Sequence, residues 1–485
     1  MTITMLYHLL PILIVAFGIV LSLLLIAWHR SQNIILIFTL VVFVCALLAS
    51  ILLPINFNEG EQVTLLLKID GYGNFAFMLV LIASMAVSLL SSRWLTHSLE
   101  VHDEYFVLIQ LVVLGSGILV MSDHFAALFL GFELLSIALV GLVGYGKNSP
   151  FSVETSFKYL ILSACASSFM LLGIAFIYSQ TGSLSFASAN TDYGIFYQAG
   201  MLLFLVGVAF KLSLAPFHFW TPDVYQGSPI QITLLLASVS KVAMFVVLMK
   251  CWFSQPYIFS DYNGGGQILS IVSLLAIFSM IVGNALALKQ QNIKRLLAYS
   301  SIAHMGYLLI VLLIISPQST ALAWQSALFY LSAYTLATVS IFTALVLTQT
   351  KKDDSAVQVK DWQGLFWQHP TLALLIIVAV LSLAGIPLTM GFIGKFYLLN
   401  IAVEAQQWWP IVALTIGSGI GLFYYLGIVF TLFNLASEQS SDCKESILYF
   451  PTTTLIHKLT IIALISLGIF LGIFPDTLSQ LLAIK

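Results

Sequence analysis

The sequence predicts an all-α polytopic membrane protein, and three observations carry that prediction. Of 485 residues, 60% are apolar and only 8% are charged, whereas soluble domains are about one quarter charged. The apolar stretches run unbroken for about 20 residues, the length that crosses a bilayer as a helix. They lack the ten-residue alternation of an outer-membrane strand. No stretch reads as a soluble domain, and the longest polar connection, TQTKKDDSAVQVKDWQGLFWQHP, has only about 23 residues.

About fourteen spanning segments are expected, near 9–28, 34–53, 73–92, 106–122, 125–145, 157–179, 199–220, 230–253, 267–288, 299–316, 321–348, 371–399, 409–434 and 456–475. The first begins MTITMLYHLLPILIV, which lacks the basic start of a secretory signal, so it is read as a retained helix. The fifth, LFLGFELLSIALVG, holds Glu133, the one acid near the middle of a span. The sixth opens with SVETSFKYL, where Glu154 and Lys158 have the i,i+4 spacing of a surface pair. Lys158 is alternatively a candidate for proton uptake at the inside end. Ser163, Ser167 and Ser168 in the same helix suit packing or water equally well.

The seventh segment carries Lys211, breaks at Pro216, and resumes with His218 and Trp220 before Pro222. The eighth places Lys241 among Ala237, Ser238, Ser240 and Ala243, small residues that permit close helix approach or water. The tenth, YSSIAHMGYLL, contains His304. The twelfth is interrupted by Gly385, Pro387, Gly391 and Gly394 and carries Lys395. Two interrupted segments five helices apart suggest two inverted five-helix repeats, each containing a broken helix. The expected divisions are 1–105 (helices 1–3), 106–255 (first repeat, helices 4–8), 256–436 (second repeat, helices 9–13) and 437–485 (helix 14).

Basic residues orient the chain. With the N-terminus outside, the inside loops hold Arg30, Arg93, Lys147, Lys158, Lys289, Lys294, Arg295, Lys351, Lys352, Lys360, Lys444 and Lys458. The outside segments hold only Lys68, Lys250 and Lys485. The positive-inside rule then puts both termini outside. Three cations remain, Lys211, Lys241 and Lys395, and all fall inside predicted helices.

A lysine at membrane depth costs roughly 2.5–3.5 kcal/mol on insertion scales, so charges there are usually paired, wetted and functional. A helix-breaking proline frees carbonyls that protein or water must satisfy. A buried cation beside such a break is a recurrent ion or proton site. Lysine suits reversible proton transfer because burial and a neighbouring carboxylate pull its proton affinity in opposite directions. Glu133 is the candidate counter-charge, with a helix–helix polar clamp as its competing role. For Lys211 the competing role is a side chain snorkelling to the interface. Lys241 has no acid nearby in sequence. His218 and His304 could relay protons or serve as hydrogen-bonded structural histidines.

Other chemistry is not signalled. There is no GxGxxG fingerprint, no Walker A sequence and no haem or iron–sulfur ligand set. Cys45, Cys165, Cys251 and Cys443 are far apart and read as packing residues. A net charge of −2 gives no reason to expect a nucleic-acid partner.

Together, FKLSLAPFHFWTPDVYQGSP, NIKRLLAYSSIAHMGYLL and SLAGIPLTMGFIGKFYLL resemble the antiporter-like subunits of respiratory complex I, the bacterial NADH–quinone oxidoreductase. The resemblance covers essentially the whole chain. It implies a fourteen-helix, proton-translocating subunit of the membrane arm, in the bacterial inner (plasma) membrane beside neighbouring membrane-arm subunits and lipid. It implies that NADH, FMN, iron–sulfur clusters and quinone belong to partner subunits and that this chain binds no cofactor. The family's glutamate of helix five falls on Glu133, its lysines of helices seven and eight on Lys211 and Lys241, and its helix-twelve residue on Lys395. That last position is lysine in two member types and glutamate in a third. The chain stops about ten residues after helix fourteen, without a long lateral helix, which selects one of the two. The implied mechanism alters the Glu133–Lys211 pairing and passes protons through Lys211 and Lys241 towards Lys395. Multisubunit cation/proton antiporters and hydrogenase-linked pumps are similar and form the alternatives. A structural scaffold with vestigial charges conflicts with keeping four costly ionisable groups.

Overall fold

The computed structural model describes residues 7–53, 60–96, 103–146, 150–187, 194–255, 265–314, 319–348, 357–434 and 455–483. Lys147, Lys351, Lys352, Cys443, Lys444 and Lys485 lie outside the described residues, as do the side chains of Arg93 and Lys458.

Uninterrupted apolar runs become helices because only a closed set of backbone hydrogen bonds is stable in hydrocarbon. In order they are α1 (Leu10–Trp28), α2 (Gln32–Leu52), α3 (Gly71–Thr96), α4 (Glu104–Met121), α5 (Phe125–Val143), α6 (Pro150–Thr181) and α7 (Ile195–Leu212). Then come α8 (Trp220–Gly227), α9 (Ile230–Ala237), α10 (Val239–Phe253), α11 (Gly265–Ala287), α12 (Ile293–Leu308) and α13 (Thr320–Leu347). The chain finishes with α14 (Leu365–Gln368), α15 (Pro370–Ala384), α16 (Met390–Glu404), α17 (Trp408–Phe433), α18 (Leu455–Ile473) and α19 (Asp476–Ala483). Two-residue strands, β1 (Glu61–Gln62) and β2 (Lys68–Ile69), pair antiparallel between α2 and α3. They mark one end of the bundle, and at two residues each they are too short to show as an alternating pattern.

Among the described residues, twelve helices are long and apolar enough to cross a membrane, or thirteen if the bent pair at the C-terminal end is one span. The expectation was fourteen. The difference lies at the twelfth expected segment, which forms two 15-residue helices, α15 and α16, either side of a break. The seventh segment likewise ends at Leu212 and restarts as α8. The eighth carries an interruption that the sequence did not announce, at Ser238 between α9 and α10.

Burial sorts the helices into an inner group and an outer shell. The span Ile230–Phe253 is wholly buried, Ile293–Leu313 is 94% buried and Thr320–Leu347 is 89% buried, whereas α1, α2, α6, α11 and α17 are under 40%. Outer faces carry exposed apolar side chains such as Phe17, Phe157 and Phe423, as hydrocarbon solvent requires. Close contact between α6 and α7 depends on glycine: a Cβ on Gly173 would lie 2.5 Å from the Phe204 nitrogen.

Candidate functional site

The three lysines that fall inside expected spans are buried: Lys211 is 1% exposed, Lys241 0% and Lys395 8%. None of them forms a salt bridge among the described residues, whose ion pairs fall at helix ends and connections.

Lys211 is on the last turn of α7, where Ser213 turns left-handed (φ 64°) and the chain passes through a cis Ala215–Pro216 bond. Two contacts hold the break together. The Trp220 indole N–H donates to the Phe210 carbonyl at 2.9 Å, and the Ala215 N–H donates to Ser279 Oγ at 2.9 Å. The Lys211 ammonium reaches the other way, donating to Ser136 Oγ on α5 (2.7 Å) and to the Tyr159 hydroxyl oxygen on α6 (2.8 Å). Phe132 and Tyr159 present ring faces to it at 5.1 and 5.3 Å.

The expected Glu133–Lys211 pair is not formed. Ser136, one turn further along α5, takes the ammonium instead, while Glu133 is half-buried with Oε1 enclosed and without a hydrogen-bond partner. Its same-face neighbours Leu130 and Ile137 are 61% and 65% exposed. The carboxylate therefore sits on the flank of α5 that borders the outside of the bundle.

Lys241, three residues past the Ser238 interruption, donates to Ser301 Oγ on α12 at 2.6 Å and lies 5.9 Å from the Tyr225 ring. Ser301 passes its own hydrogen to the Ala298 carbonyl at 2.8 Å. One turn along α12, His304 places Nδ1 2.6 Å from the Tyr330 hydroxyl and Nε2 3.2 Å from that of Tyr425. Tyr425 also hydrogen-bonds Ser300.

Lys395 lies just past the second break. There Gly385 is left-handed (φ 79°), and its N–H closes back on the Leu381 and Ser382 carbonyls. The remaining end carbonyls of α15, those of Leu383 and Ala384, accept from Lys395 Nζ at 3.2 and 2.8 Å. The ammonium thus completes a helix C-terminus, where positive charge is favoured. A cavity of about 10 Å³ joins Lys395 to His304, Tyr330 and Tyr334, room for about one water.

The other sequence candidates separate clearly. His304 shares a cavity with Lys395, whereas His218 stacks on Phe219, leaves Nδ1 buried and unpaired, and hydrogen-bonds neither lysine. Lys158 forms the expected pair with Glu154 at 2.8 Å and also approaches Asp223 at 3.6 Å. Ser167 and Ser168 bond carbonyls of their own helix. Lys294, counted above as an inside-loop charge, is fully buried and donates to the Ser228 carbonyl at 2.7 Å. The hydroxyls of Ser136, Tyr159, Tyr225, Ser301, Tyr330 and Tyr425 were missed. Tyr330 and Tyr425 carried a usable signal: they stand well inside their spans, away from the interfacial zone that membrane tyrosines favour.

Several buried side-chain polar atoms have no hydrogen-bond partner among the described residues, including Ser213 Oγ, Thr221 Oγ1, the Tyr225 and Tyr334 hydroxyls and both Gln231 side-chain polar atoms. Enclosed groups of this kind call for water. The arrangement is a bundle of helices whose buried lysines are held by hydroxyl and carbonyl oxygens beside helix breaks.

The family description NADH:quinone oxidoreductase/Mrp antiporter, transmembrane, matches residues 122–421, more than half of the chain. The chain belongs to that family and is a multi-pass membrane protein. It is similar to a chain of respiratory complex I from Thermus thermophilus, with 30% identity and a TM-score of 0.82 over 97% of this chain and 98% of that one. It shares its fold with a chain of the membrane-bound sulfane sulfur reductase, an archaeal respiratory membrane complex (TM-score 0.84, 20% identity, 99% and 96% covered). It also shares it with a chain of the Mrp complex from Dietzia sp. (TM-score 0.82, 19% identity, 99% and 96% covered).

Proposed function

We propose that this chain is a proton-translocating membrane-arm subunit of an NADH–quinone oxidoreductase, of the subunit N type. One observation carries the reading: Lys211, Lys241 and Lys395 are held by hydroxyl and carbonyl oxygens and not by carboxylates. A lysine locked in a buried ion pair resists giving up its proton, whereas one held by neutral oxygens can cycle. The higher identity to the Thermus complex I chain than to the other two supports the complex I assignment. A lysine at position 395, where one member type has glutamate, favours subunit N or the one other member type that carries lysine there.

In this reading a proton taken up from the inside reaches Lys211, with Ser136 and Tyr159 sharing its hydrogen bonds. It moves past the unpaired Ser213, Thr221 and Tyr225 groups, through water, to Lys241. From Ser301 the path follows α12 to His304, whose two ring nitrogens face two tyrosine hydroxyls, and on through the small cavity to Lys395 and the outside. Glu133 acts on Lys211 across a short distance as a field and not as a contact. NADH, FMN, iron–sulfur clusters and quinone work in partner subunits, and this chain's own chemistry is proton transfer. The membrane is the bacterial inner membrane with both termini outside. Removing buried Lys294 from the basic-residue count leaves the inside excess in place. The two breaks fit the proposed pair of five-helix repeats.

The test compares wild type with Lys211→Ala in inverted membrane vesicles, measuring NADH–quinone reductase activity and NADH-driven acidification. Loss of both, with sodium/proton exchange untouched, is the expected result. Unchanged NADH activity with lost cation/proton exchange overturns the assignment in favour of an antiporter subunit.

A further inference from the structure

The eight residues of α8 are too few to hold a helix on their own. The break at 213–219 precedes α8, and Ser228–Pro229 follows it. Yet α8 carries two groups that touch the lysine sites. Its Trp220 ring lies 5.0 Å from the Tyr159 ring, whose hydroxyl holds Lys211, and its Tyr225 ring faces Lys241. Besides the Trp220–Phe210 hydrogen bond and the approach of Lys158 to Asp223, a consecutive basic pair at the start of α12 fastens α8. Lys294, 0% exposed, donates to the carbonyl of Ser228, the residue that caps the C-terminus of α8. Arg295 donates through one guanidinium nitrogen to Asp223 Oδ1 at 2.8 Å and Gln226 Oε1 at 3.0 Å, both on α8.

Burying an ammonium away from water is unfavourable unless its contacts serve the fold or the site. A solvent-facing lysine would satisfy the orientation rule equally well. The placement on α12 gives the contact a purpose. The same helix holds Lys241 directly through Ser301 and reaches towards Lys395 through His304.

We propose that Lys294 and Arg295 are positioning residues for proton transfer. They fasten α8 to α12, so that Tyr225 stays against Lys241 and Trp220 against Tyr159, and a shift of α12 reaches both lysines at once. Only the transport readout below rests on the function proposed above.

The test uses the intact assembled complex. In Lys294→Met, hydrogen exchange of the 220–228 backbone rises about tenfold while α1 and α2 are unchanged. Protons moved per NADH oxidised fall at equal complex abundance, and Lys294→Arg restores both. Acting through Tyr225, Lys294→Met combined with Tyr225→Leu loses no more than the worse single variant. Additive losses, or unchanged exchange at 220–228, overturn the proposal. If Lys294→Met fails to assemble, the charge swap decides. Asp223→Arg and Arg295→Asp each loosen α8, and together they re-tighten it; a swap no tighter than the singles refutes the clamp. If the chain proves to be an antiporter subunit, exchange and the swap still test the clamp while the NADH ratio does not apply.

Discussion

Lys211 donates to Ser136 Oγ at 2.7 Å and forms no salt bridge with Glu133, although both partners stand on α5 three residues apart. The acid and the base are thus near without being neutralised. A hydrogen bond to a charged group is worth roughly 1.5–3 kcal/mol. Tyr159→Phe keeps the ring under the ammonium and removes one acceptor, so proton transport is expected to fall by about tenfold or more at normal assembly. Acidification rates in vesicles, normalised to complex content, check this. Unchanged rates would show that Tyr159 is only a packing residue.

Lys395 supplies the donors for the last two carbonyls of α15. Lys395→Met leaves both buried without one, and an unsatisfied buried acceptor costs about 1–3 kcal/mol. The expected outcome is a lowered melting temperature together with lost transport. A loss of transport at unchanged melting temperature would mean that the carbonyls find water instead.

Gly391 faces the same break so closely that a Cβ would lie 1.8 Å from the Ser382 carbonyl oxygen. Backbone cannot yield as a side chain can. Gly391→Ala is therefore expected to abolish stable accumulation in the membrane, whereas Gly419→Ala, with open space at its Cβ, accumulates normally. Immunoblots of membranes read both. Equal accumulation would remove the packing argument.

At the β1–β2 end, in the connection before α5, Asp123 and His124 titrate in opposite senses. Burial raises the Asp123 carboxyl above its usual range, although Lys68 and Lys250 pull it down. Its contribution to stability is therefore full below the unfolded carboxyl value and is lost as pH rises through the folded one. Burial lowers the His124 imidazole, against Asp123, so its contribution is present above the unfolded value and is lost as pH falls through the folded one. Neutral His124 Nδ1 accepts the Ala126 N–H and caps α5. Melting curves from pH 4 to 8 should therefore show a flatter fall on the alkaline side for Asp123→Asn and on the acid side for His124→Asn. Parallel wild-type and variant curves would contradict the assignment.

Much of the fold could be read in the residues, because a span announces itself by length and apolarity alone. Both principal breaks were marked by Pro216 and Gly385, and the buried lysines by their cost. The Ser238 interruption was not, since serine is compatible with a continuous helix. Partners were least legible. Ser301 is 60 residues from Lys241 and Ser136 75 from Lys211, and nothing local distinguishes a hydroxyl that meets a lysine from one that bonds its own helix. The burial of Lys294 was hidden for the same reason: NIKR looks like a polar turn until α8 is folded over it.

The wholly buried span Ile230–Phe253 has a consequence for how the chain is made. Synthesis delivers Lys241 to the bilayer well before Ser301, its hydroxyl partner on α12, which follows 60 residues later. During that interval the helix carries an ammonium with no permanent acceptor, at roughly 2.5–3.5 kcal/mol of insertion penalty. Its many apolar neighbours in ITLLLASVSKVAMFVVLM outweigh that penalty, so the segment can enter lipid first and be withdrawn from it later. The α10 half of this span lies against α3, α4 and α7, which are already made, whereas the α9 half waits for α13, so the centre of the finished protein is closed in two stages.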